Sequence, residues 1–184
     1  KPGRAYWEDF IAHSLGTLIL GVEIFENYMV RLERENALPR IIIRNIDSGD
    51  EHRIEFEDAA YSLGLMGGYE FKTDWLRFSY SSPVQPGQII DYNMTTRERI
   101  VRKITEVPSG HASSNYTCER IQVKARDGET IPVTLLYRAG LKLDGSAPCL
   151  LYGYGSYGIT IPASFRTSIL SLVDRGFVYA IAHI

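Results

Sequence analysis

The stretch that decides the fold is residues 41–50, IIIRNIDSGD, because a similar pattern returns at residues 89–98 as IIDYNMTTRE. A strand-like run precedes each copy, at residues 29–33 and 76–80. The offset between the copies is about 48 residues, which is typical of the four-stranded blades of a β-propeller. Runs of β-branched residues divided by polar turns favour antiparallel strands. We therefore predict propeller blades, with an ordinary β-meander as the alternative.

Residues 107–115, VPSGHASSN, mark a change in the pattern further along the chain. A polar stretch with Pro, Gly and Ser is typical of a boundary between domains. We place the division at residue 113, so that residues 1–113 hold the C-terminal blades of a propeller and residues 114–184 begin a second domain. Asp127-Gly128 lies between two alternating runs of that second part, which predicts a β-hairpin.

The second part continues with the pattern of a βαβ unit. Residues 149–152, CLLY, are wholly apolar, which predicts a strand buried on both faces, as in a parallel sheet. Four apolar residues follow at the spacing of one helix face: Phe165, Ile169, Leu172 and Val173. Pro162 suits the first turn of that helix and Gly176 its C-terminal end. Residues 177–184 form the next strand, reached by the usual right-handed crossover. The predicted fold class is mixed: antiparallel propeller blades followed by the start of an α/β sheet.

Composition and charge restrict the class of function. The chain has 184 residues, 45% of them hydrophobic, and a net charge of -2. A chain of this charge lacks the basic face that a general nucleic-acid binder needs. No apolar run reaches the ~20 residues that span a bilayer, and no H-E-x-x-H or Cys/His cluster indicates a metal. We expect no metal, no other cofactor, no nucleic-acid partner and no membrane partner.

The cysteines and the chain ends lead to two further expectations. Cys118 and Cys149 show no C-x-x-C spacing. Two thiols are a poor disulfide framework for a chain of this size, so we predict that both are free and buried. A reducing compartment follows, and we expect a cytoplasmic protein, with the periplasm as the alternative. The chain starts at Lys1 without a Met and ends at Ile184 within an apolar run, so we expect a fragment of a longer protein.

Residues 150–158, LLYGYGSYG, allow several functions at the end of a predicted strand. The glycines match G-x-G-x-x-G, but a dinucleotide site needs a helix that starts directly on them and an acidic residue at the end of the next strand. The sequence offers neither. Ser156 lacks the small residue two positions earlier that a nucleophile elbow needs. Two interpretations stay open: a loop that helps to stabilise an oxyanion, or glycines that turn while the tyrosines pack.

The whole chain resembles the prolyl oligopeptidase family of serine peptidases, and most closely its oligopeptidase B branch. Several motifs carry the resemblance: YGYGSYG at 152–158, DRGFVYA at 174–180, LEREN and LPR within 32–40, FSYSS and DY within 78–92, and ER and ARDG within 119–128. The resemblance implies a seven-bladed propeller that caps an α/β-hydrolase domain, so that short peptides are cut and folded proteins are not. Residues 114–184 would then be the N-terminal part of the catalytic domain.

The resemblance also implies roles for two tyrosines. Tyr154 aligns with the tyrosine whose hydroxyl helps to form the oxyanion hole, and Tyr157 with an aromatic residue of the pocket for the side chain before the cut. The prolyl-cleaving branch usually shows Gly-Phe where this chain has Ser156-Tyr157, which favours cleavage after Arg or Lys. The catalytic Ser, Asp and His of the family would lie beyond Ile184. His183 is therefore not the catalytic histidine, and the fragment alone is expected to be inactive.

Three alternatives stay open for the longer protein: a prolyl-specific oligopeptidase, an acylaminoacyl-type relative, and a propeller scaffold that binds without catalysis. Acidic residues of the first part, among them Glu33, Glu35 and Glu55, are expected at solvated edges of the blades. The other interpretation of these residues is that some line the propeller tunnel and attract basic peptides.

Overall fold

The computed structural model describes residues 3–184, which form three four-stranded sheets and one short α-helix. The first sheet contains β1 (Thr17–Ile24), β2 (Tyr28–Glu35), β3 (Leu38–Asn45) and β4 (Glu51–Arg53). The second sheet contains β5 (Ser62–Leu65), β6 (Trp75–Ser81), β7 (Gln88–Asn93) and β8 (Arg99–Ile104). The third part contains β9 (Tyr116–Lys124), β10 (Thr130–Arg138), β11 (Cys149–Gly153), α1 (Thr167–Val173) and β12 (Val178–Ala182).

The first two sheets are antiparallel meanders of the same design. Both keep chain order, β1-β2-β3-β4 and β5-β6-β7-β8. They share one apolar core, whose fully buried members include Val30, Ile41, Ile43, Leu76 and Phe78. This stacking of like sheets is the arrangement of neighbouring propeller blades. The predicted repeat is confirmed, because its two copies fall on the second and third strands of each sheet.

The turn after the third strand is the same in both sheets. Asn45 Oδ1 accepts hydrogen bonds from two backbone amides of its turn at 3.0 and 2.9 Å. Asn93 Oδ1 accepts the equivalent two at 3.0 and 2.8 Å. Both turns then place one residue at positive φ. This residue is Gly49 in the first sheet, with a φ of 78°, and Arg97 in the second, with a φ of 67°. The sequence mismatch between the copies therefore leaves the backbone unchanged.

This pair of turns gives a direct test of the repeat. We expect Arg97→Gly to raise the free energy of unfolding by about 0.5–1 kcal/mol, because glycine adopts positive φ without the steric cost of a Cβ atom. Gly49→Ala should lower it by about 1 kcal/mol for the converse reason. Urea unfolding of the full-length protein measures both changes. Equal stability of the two variants would show that the turns are not equivalent.

The third sheet has the order β11-β12-β10-β9. β9 and β10 form the predicted hairpin, in which Gly128 has a φ of 91° and Asp127 Oδ1 accepts the Glu129 amide at 3.1 Å. β11 and β12 are parallel, and α1 between them contributes Leu170 and Val173 to a second apolar core. The predicted strand–helix–strand unit is confirmed.

Three details of this part differ from the prediction. α1 starts well after Pro162, because the Phe165 amide donates to Ser81 Oγ at 2.8 Å and keeps the preceding segment extended against the second sheet. β11 is exposed along its length, since β12 is its only neighbour in the described sheet. Cys149 is exposed for the same reason, while Cys118 is partly buried; both thiols are free, as predicted.

The second and third sheets are in direct contact. Val84, in the connection between β6 and β7, is buried in the same apolar core as Leu136 and Val173. His111, in the segment between β8 and β9, places Nε2 2.8 Å from the Val84 carbonyl oxygen. The blades and the third sheet therefore meet, and the connections between the middle strands of the blades lie at that junction.

Candidate functional site

The candidate site lies where the parallel strands β11 and β12 end. Gly153 pairs with Ala182, so the loop after β11 and the end of β12 meet at one edge of the sheet. In open α/β sheets, ligands bind in the crevice outside the carboxyl ends of the strands. The Gly–Tyr loop, defined as residues 153–158, therefore lies at the edge where a ligand is expected.

Both predicted site tyrosines are accessible in this loop. Tyr154 is 40% exposed and Tyr157 is 93% exposed. Within residues 3–184, no hydrogen bond or ring contact ties either side chain to another residue. A tyrosine hydroxyl carries one O–H donor. The Tyr154 hydroxyl is thus free to donate to a group that binds at this edge, and Tyr157 presents an uncovered aromatic face.

The glycines of the loop are required by its backbone conformation. A Cβ atom on Gly155 would lie 2.7 Å from the carbonyl oxygen of Ile184, so the loop passes too close to the end of the chain for any side chain. Gly158 has a φ of 68°, and Tyr157 before it has a φ of 59°. The glycines therefore allow a close approach to the strand end and a left-handed turn, and they leave the tyrosines uncovered.

The structure agrees with the rejection of two other sites. α1 begins after an extended segment and not on the glycines, so no helix N-terminus faces Gly153, Gly155 and Gly158 as a dinucleotide site requires. Ser156 is exposed in a short 3-10 turn. In the described part of the chain, no His, Asp or Glu side chain hydrogen bonds to Ser156, so Ser156 has no activating base.

His183 follows β12 and is 8% exposed. Its Nε2 lies 2.8 Å from Thr134 Oγ1, and its backbone amide donates to the Pro132 carbonyl oxygen at 3.0 Å. Burial lowers the pKa of the His183 imidazole, and the positive charge of Arg120 lowers it further. The buried ring, in contact with Thr134 Oγ1, supports the edge of the sheet.

The lowered pKa of His183 predicts a pH dependence of stability. In the unfolded chain a histidine has a pKa of ~6.5, so just below that pH the unfolded state binds more protons than the folded state. The free energy of unfolding should therefore fall as the pH falls through this window and recover above it. His183→Gln should weaken this acid-side loss in urea unfolding of the full-length protein.

The control for this pH experiment is His13→Gln, at an exposed histidine. It should keep the wild-type loss of stability at acid pH. If His183→Gln and His13→Gln lose stability in parallel with the wild type, His183 does not contribute to the acid-side slope. His52, whose pKa is also lowered by burial, is unchanged in both variants and contributes equally to them.

The acidic residues of the first sheet are not all solvated, which corrects one prediction. Glu33 is 4% exposed and Arg31 is 5% exposed. Arg31 Nε donates to Glu33 at 2.8 Å and its Nη1 to Glu51 at 2.8 Å. Arg40 Nε donates to the second oxygen of Glu33 at 3.1 Å. Glu33 can be buried because two guanidinium groups pair with its carboxylate. Glu55 lies at an exposed edge, as predicted.

Two arginines at the junction were not recognised as site residues from the sequence. Arg34 on β2 places Nη2 3.5 Å from the carbonyl oxygen of Gly158 in the Gly–Tyr loop. Arg120 on β9 donates from Nη2 to the carbonyl oxygen of Asn36 in the turn between β2 and β3. Arg34 lies within the motif LEREN and Arg120 within ER, but neither pattern indicates which backbone carbonyl an arginine will reach.

Residues 3–184 contain no group of three His, Cys, Asp or Glu side chains placed to hold a metal ion. In the same residues, no helix is both long enough and apolar enough to cross a membrane.

Blades joined to a parallel strand–helix–strand unit define a propeller protein with an α/β second part, and comparison with known proteins narrows the class. The sequence model of the N-terminal β-propeller domain of prolyl oligopeptidase matches residues 1–105. Dipeptidyl aminopeptidase BI of Pseudoxanthomonas mexicana is 42% identical over 185 residues, which cover 100% of this chain and 25% of that protein. Protease 2 of Moraxella lacunata is 26% identical over 160 residues, which cover 87% of this chain and 23% of that protein.

A solved structure agrees with these sequence matches. Oligopeptidase B from Trypanosoma brucei, in a closed form with covalently bound antipain, superimposes with a TM-score of 0.86 and 32% identity. The match covers 94% of this chain and 26% of that chain. The protein therefore belongs to the prolyl oligopeptidase family, whose members are serine peptidases, and the resemblance drawn from the sequence is confirmed. The chain spans about a quarter of the length of the curated relatives that it matches.

Proposed function

We propose that the full-length protein carrying this chain is a serine oligopeptidase that hydrolyses short peptides after Arg or Lys. Family membership supports the peptidase class. The observation that carries the assignment of a site is the accessible Tyr154, placed at the carboxyl edge of two parallel strands with its hydroxyl unpaired in the described chain.

Residues 114–184 are proposed to be the N-terminal part of an α/β-hydrolase domain, and residues 1–113 the C-terminal blades of the propeller. The parallel pairing of β11 and β12, with α1 between them, supports the first assignment. The 3-10 turn at Ser113–Asn115, between β8 and β9, supports a boundary at this point. The two free cysteines support a reducing compartment, and we propose the cytoplasm.

Catalysis in this class needs a serine that attacks the scissile carbonyl, a histidine that takes the serine proton, and an aspartate that orients the histidine. As the serine oxygen bonds to the carbonyl carbon, the electron pair of the C=O bond moves onto oxygen. We propose that the Tyr154 O–H donates a hydrogen bond to this oxyanion, because a donor that meets charge only in the transition state accelerates the chemical step. The catalytic serine, histidine and aspartate would come from the rest of the protein.

Tyr157 is proposed to line the pocket for the side chain before the cut. Its ring is 93% exposed on a loop that faces the junction. An aromatic face packs well against the methylene groups of an arginine or lysine side chain, and it attracts a guanidinium. This assignment supports cleavage after a basic residue in preference to proline.

A second candidate activity is the removal of dipeptides from a free amino terminus. It is favoured by the 42% identity to a protein named dipeptidyl aminopeptidase BI. The two activities share the oxyanion chemistry of Tyr154 and differ in whether the substrate must carry a free amino group.

Three reporter peptides separate these functions: an N-blocked arginine reporter, an N-blocked proline reporter, and a dipeptide reporter with a free amino terminus. The full-length protein is expected to cleave the blocked arginine reporter with the highest kcat/KM. A preference for the proline reporter would overturn the basic specificity. Activity restricted to the free dipeptide would establish the dipeptidyl function. No cleavage, together with no labelling by a serine-reactive phosphonate, would favour a non-catalytic propeller scaffold.

A further inference from the structure

The backbone on both sides of the junction is left-handed at the carbonyls that Arg34 and Arg120 reach. Asn36 has a φ of 50°, and its neighbour Ala37 has a φ of 59°. In the Gly–Tyr loop, Tyr157 has a φ of 59° and Gly158 a φ of 68°. Asn36 and Ala37 are the central residues of the two-residue β2–β3 hairpin, in which a type I′ turn places both at positive φ, whereas Tyr157 is a non-glycine residue in this region outside a hairpin. The two arginine contacts are placed at these segments.

The Gly–Tyr loop has few other contacts. Its start passes close to the carbonyl of Ile184, where a Cβ atom on Gly155 would lie 2.7 Å from that oxygen. For residues 154–159 of the described chain, the main-chain hydrogen bonding is local: the Ile159 amide donates to the Ser156 carbonyl oxygen at 3.1 Å. The end of the loop, which carries Tyr157, therefore depends on Arg34 for its contact with the first sheet.

Arg120 holds the partner turn from the opposite direction. Its Nη2 donates to Asn36, two residues after Arg34, while its buried Nε has no hydrogen-bond partner within residues 3–184. A buried donor left unpaired costs stability, so the arrangement is poor as a purely stabilising contact. It does hold the β2–β3 turn, which follows Arg34 by two residues, against β9.

We propose that Arg34 and Arg120 form a reciprocal clamp across the junction, and that Arg34 is a positioning residue that holds Tyr157 in place for the side chain before the cut. Arg120 fixes the turn that follows Arg34, and Arg34 then fixes the end of the Gly–Tyr loop. The role of the clamp in specificity rests on the proposed peptidase function, whereas the clamp itself rests on the contacts alone. Neither arginine touches the reacting atoms.

The test uses the full-length protein with Arg34→Met, Arg34→Lys and Arg120→Met. The matched control is Arg126→Met, at an exposed arginine of the β9–β10 hairpin that makes no hydrogen bond or ion pair in the described chain. Without substrate, Arg34→Met should speed exchange of the Ile159 backbone amide, which donates to Ser156, about three- to tenfold, since the loop then opens without breaking the Arg34 contact. Exchange in β10 should not change. Arg120→Met should speed exchange in residues 35–38 by a similar factor.

The kinetic consequence is a change in KM more than in kcat. On the blocked arginine reporter, Arg34→Met should raise KM about three- to tenfold and change kcat less than about twofold, since it loosens a binding surface and leaves the chemical groups in place. Arg34→Lys, which keeps a charged donor, should restore at least half of the loss. Arg126→Met should match the wild type.

Two results would overturn the clamp: unchanged exchange of the Ile159 amide in Arg34→Met, or faster exchange spread evenly over the third sheet. The exchange measurement needs no activity, so it decides the clamp even if no reporter is cleaved. If exchange in the loop rises while KM stays constant, the clamp stands and the assignment of Tyr157 to the substrate pocket is wrong.

Discussion

Replacing Tyr154 by phenylalanine in the full-length protein is expected to lower kcat on the arginine reporter about 100- to 1,000-fold, the usual cost of losing one oxyanion donor. The expected change in KM is less than about threefold, because the hydroxyl meets negative charge only in the transition state. The substitution keeps the ring and removes a single O–H group from a side chain that is 40% exposed. Loss of packing therefore contributes little, and steady-state kinetics measure the chemical effect directly.

Tyr152→Phe is the matched control for this substitution. Tyr152 lies two residues earlier, on β11, and is 42% exposed, so it loses the same group from a similar environment. It should keep kcat within about twofold of the wild type. If Tyr154→Phe also keeps its kcat, Tyr154 is not an oxyanion donor and the tyrosines of the loop serve packing alone.

Glu33→Gln should cost about 3 kcal/mol of unfolding free energy, the largest effect on stability that we expect from a single charge. The change leaves the buried guanidinium of Arg31 without one of its two carboxylate partners, and breaking a buried ion pair from one side typically costs about 3–5 kcal/mol. The lower end applies because Arg31 keeps Glu51 and Arg40 keeps Glu35. The shift of the urea midpoint at constant slope measures the cost.

The same sheet offers an exposed pair as the control. Glu55 binds Arg53, with side chains that are 68% and 46% exposed. Glu55→Gln should cost less than about 1 kcal/mol, because solvent screens an exposed pair. Equal costs for the two variants would contradict the buried network. Loss of the Glu33→Gln cost in 1 M salt would also contradict the buried network. At this ionic strength the screening length is about 3 Å, and salt weakens exposed ion pairs far more than buried ones.

Features that depend on local pattern could be predicted from the sequence. The repeat at residues 41–50 and 89–98 locates the equivalent strands, since β-branched runs and polar turns are properties of a short segment. Asp127-Gly128 predicts its hairpin for the same reason. The local pattern of residues 153–158 left an oxyanion loop and a purely structural turn both open, and the roles of Tyr154 and Tyr157 rest on the resemblance to the prolyl oligopeptidase family.

Features that depend on distant partners could not be predicted. Glu33 has the polarity of a surface residue, and only its two arginine partners explain its burial. Pro162 suits a helix start by local rules, but a hydrogen bond to Ser81 on another sheet keeps this segment extended. Arg34 and Arg120 look like ordinary surface charges until the junction brings backbone carbonyls to them.

The measurement that tests the central claim most directly is a crystal structure of the full-length protein with a peptide aldehyde that ends in arginine. The catalytic serine should add to the aldehyde carbon and form a hemiacetal, whose oxygen occupies the position of the oxyanion. The proposed function predicts that this oxygen lies about 2.6–3.2 Å from the Tyr154 hydroxyl, with the arginine side chain against the Tyr157 ring. A hemiacetal oxygen held by other donors, with Tyr154 turned away and Tyr157 far from the arginine, would contradict it.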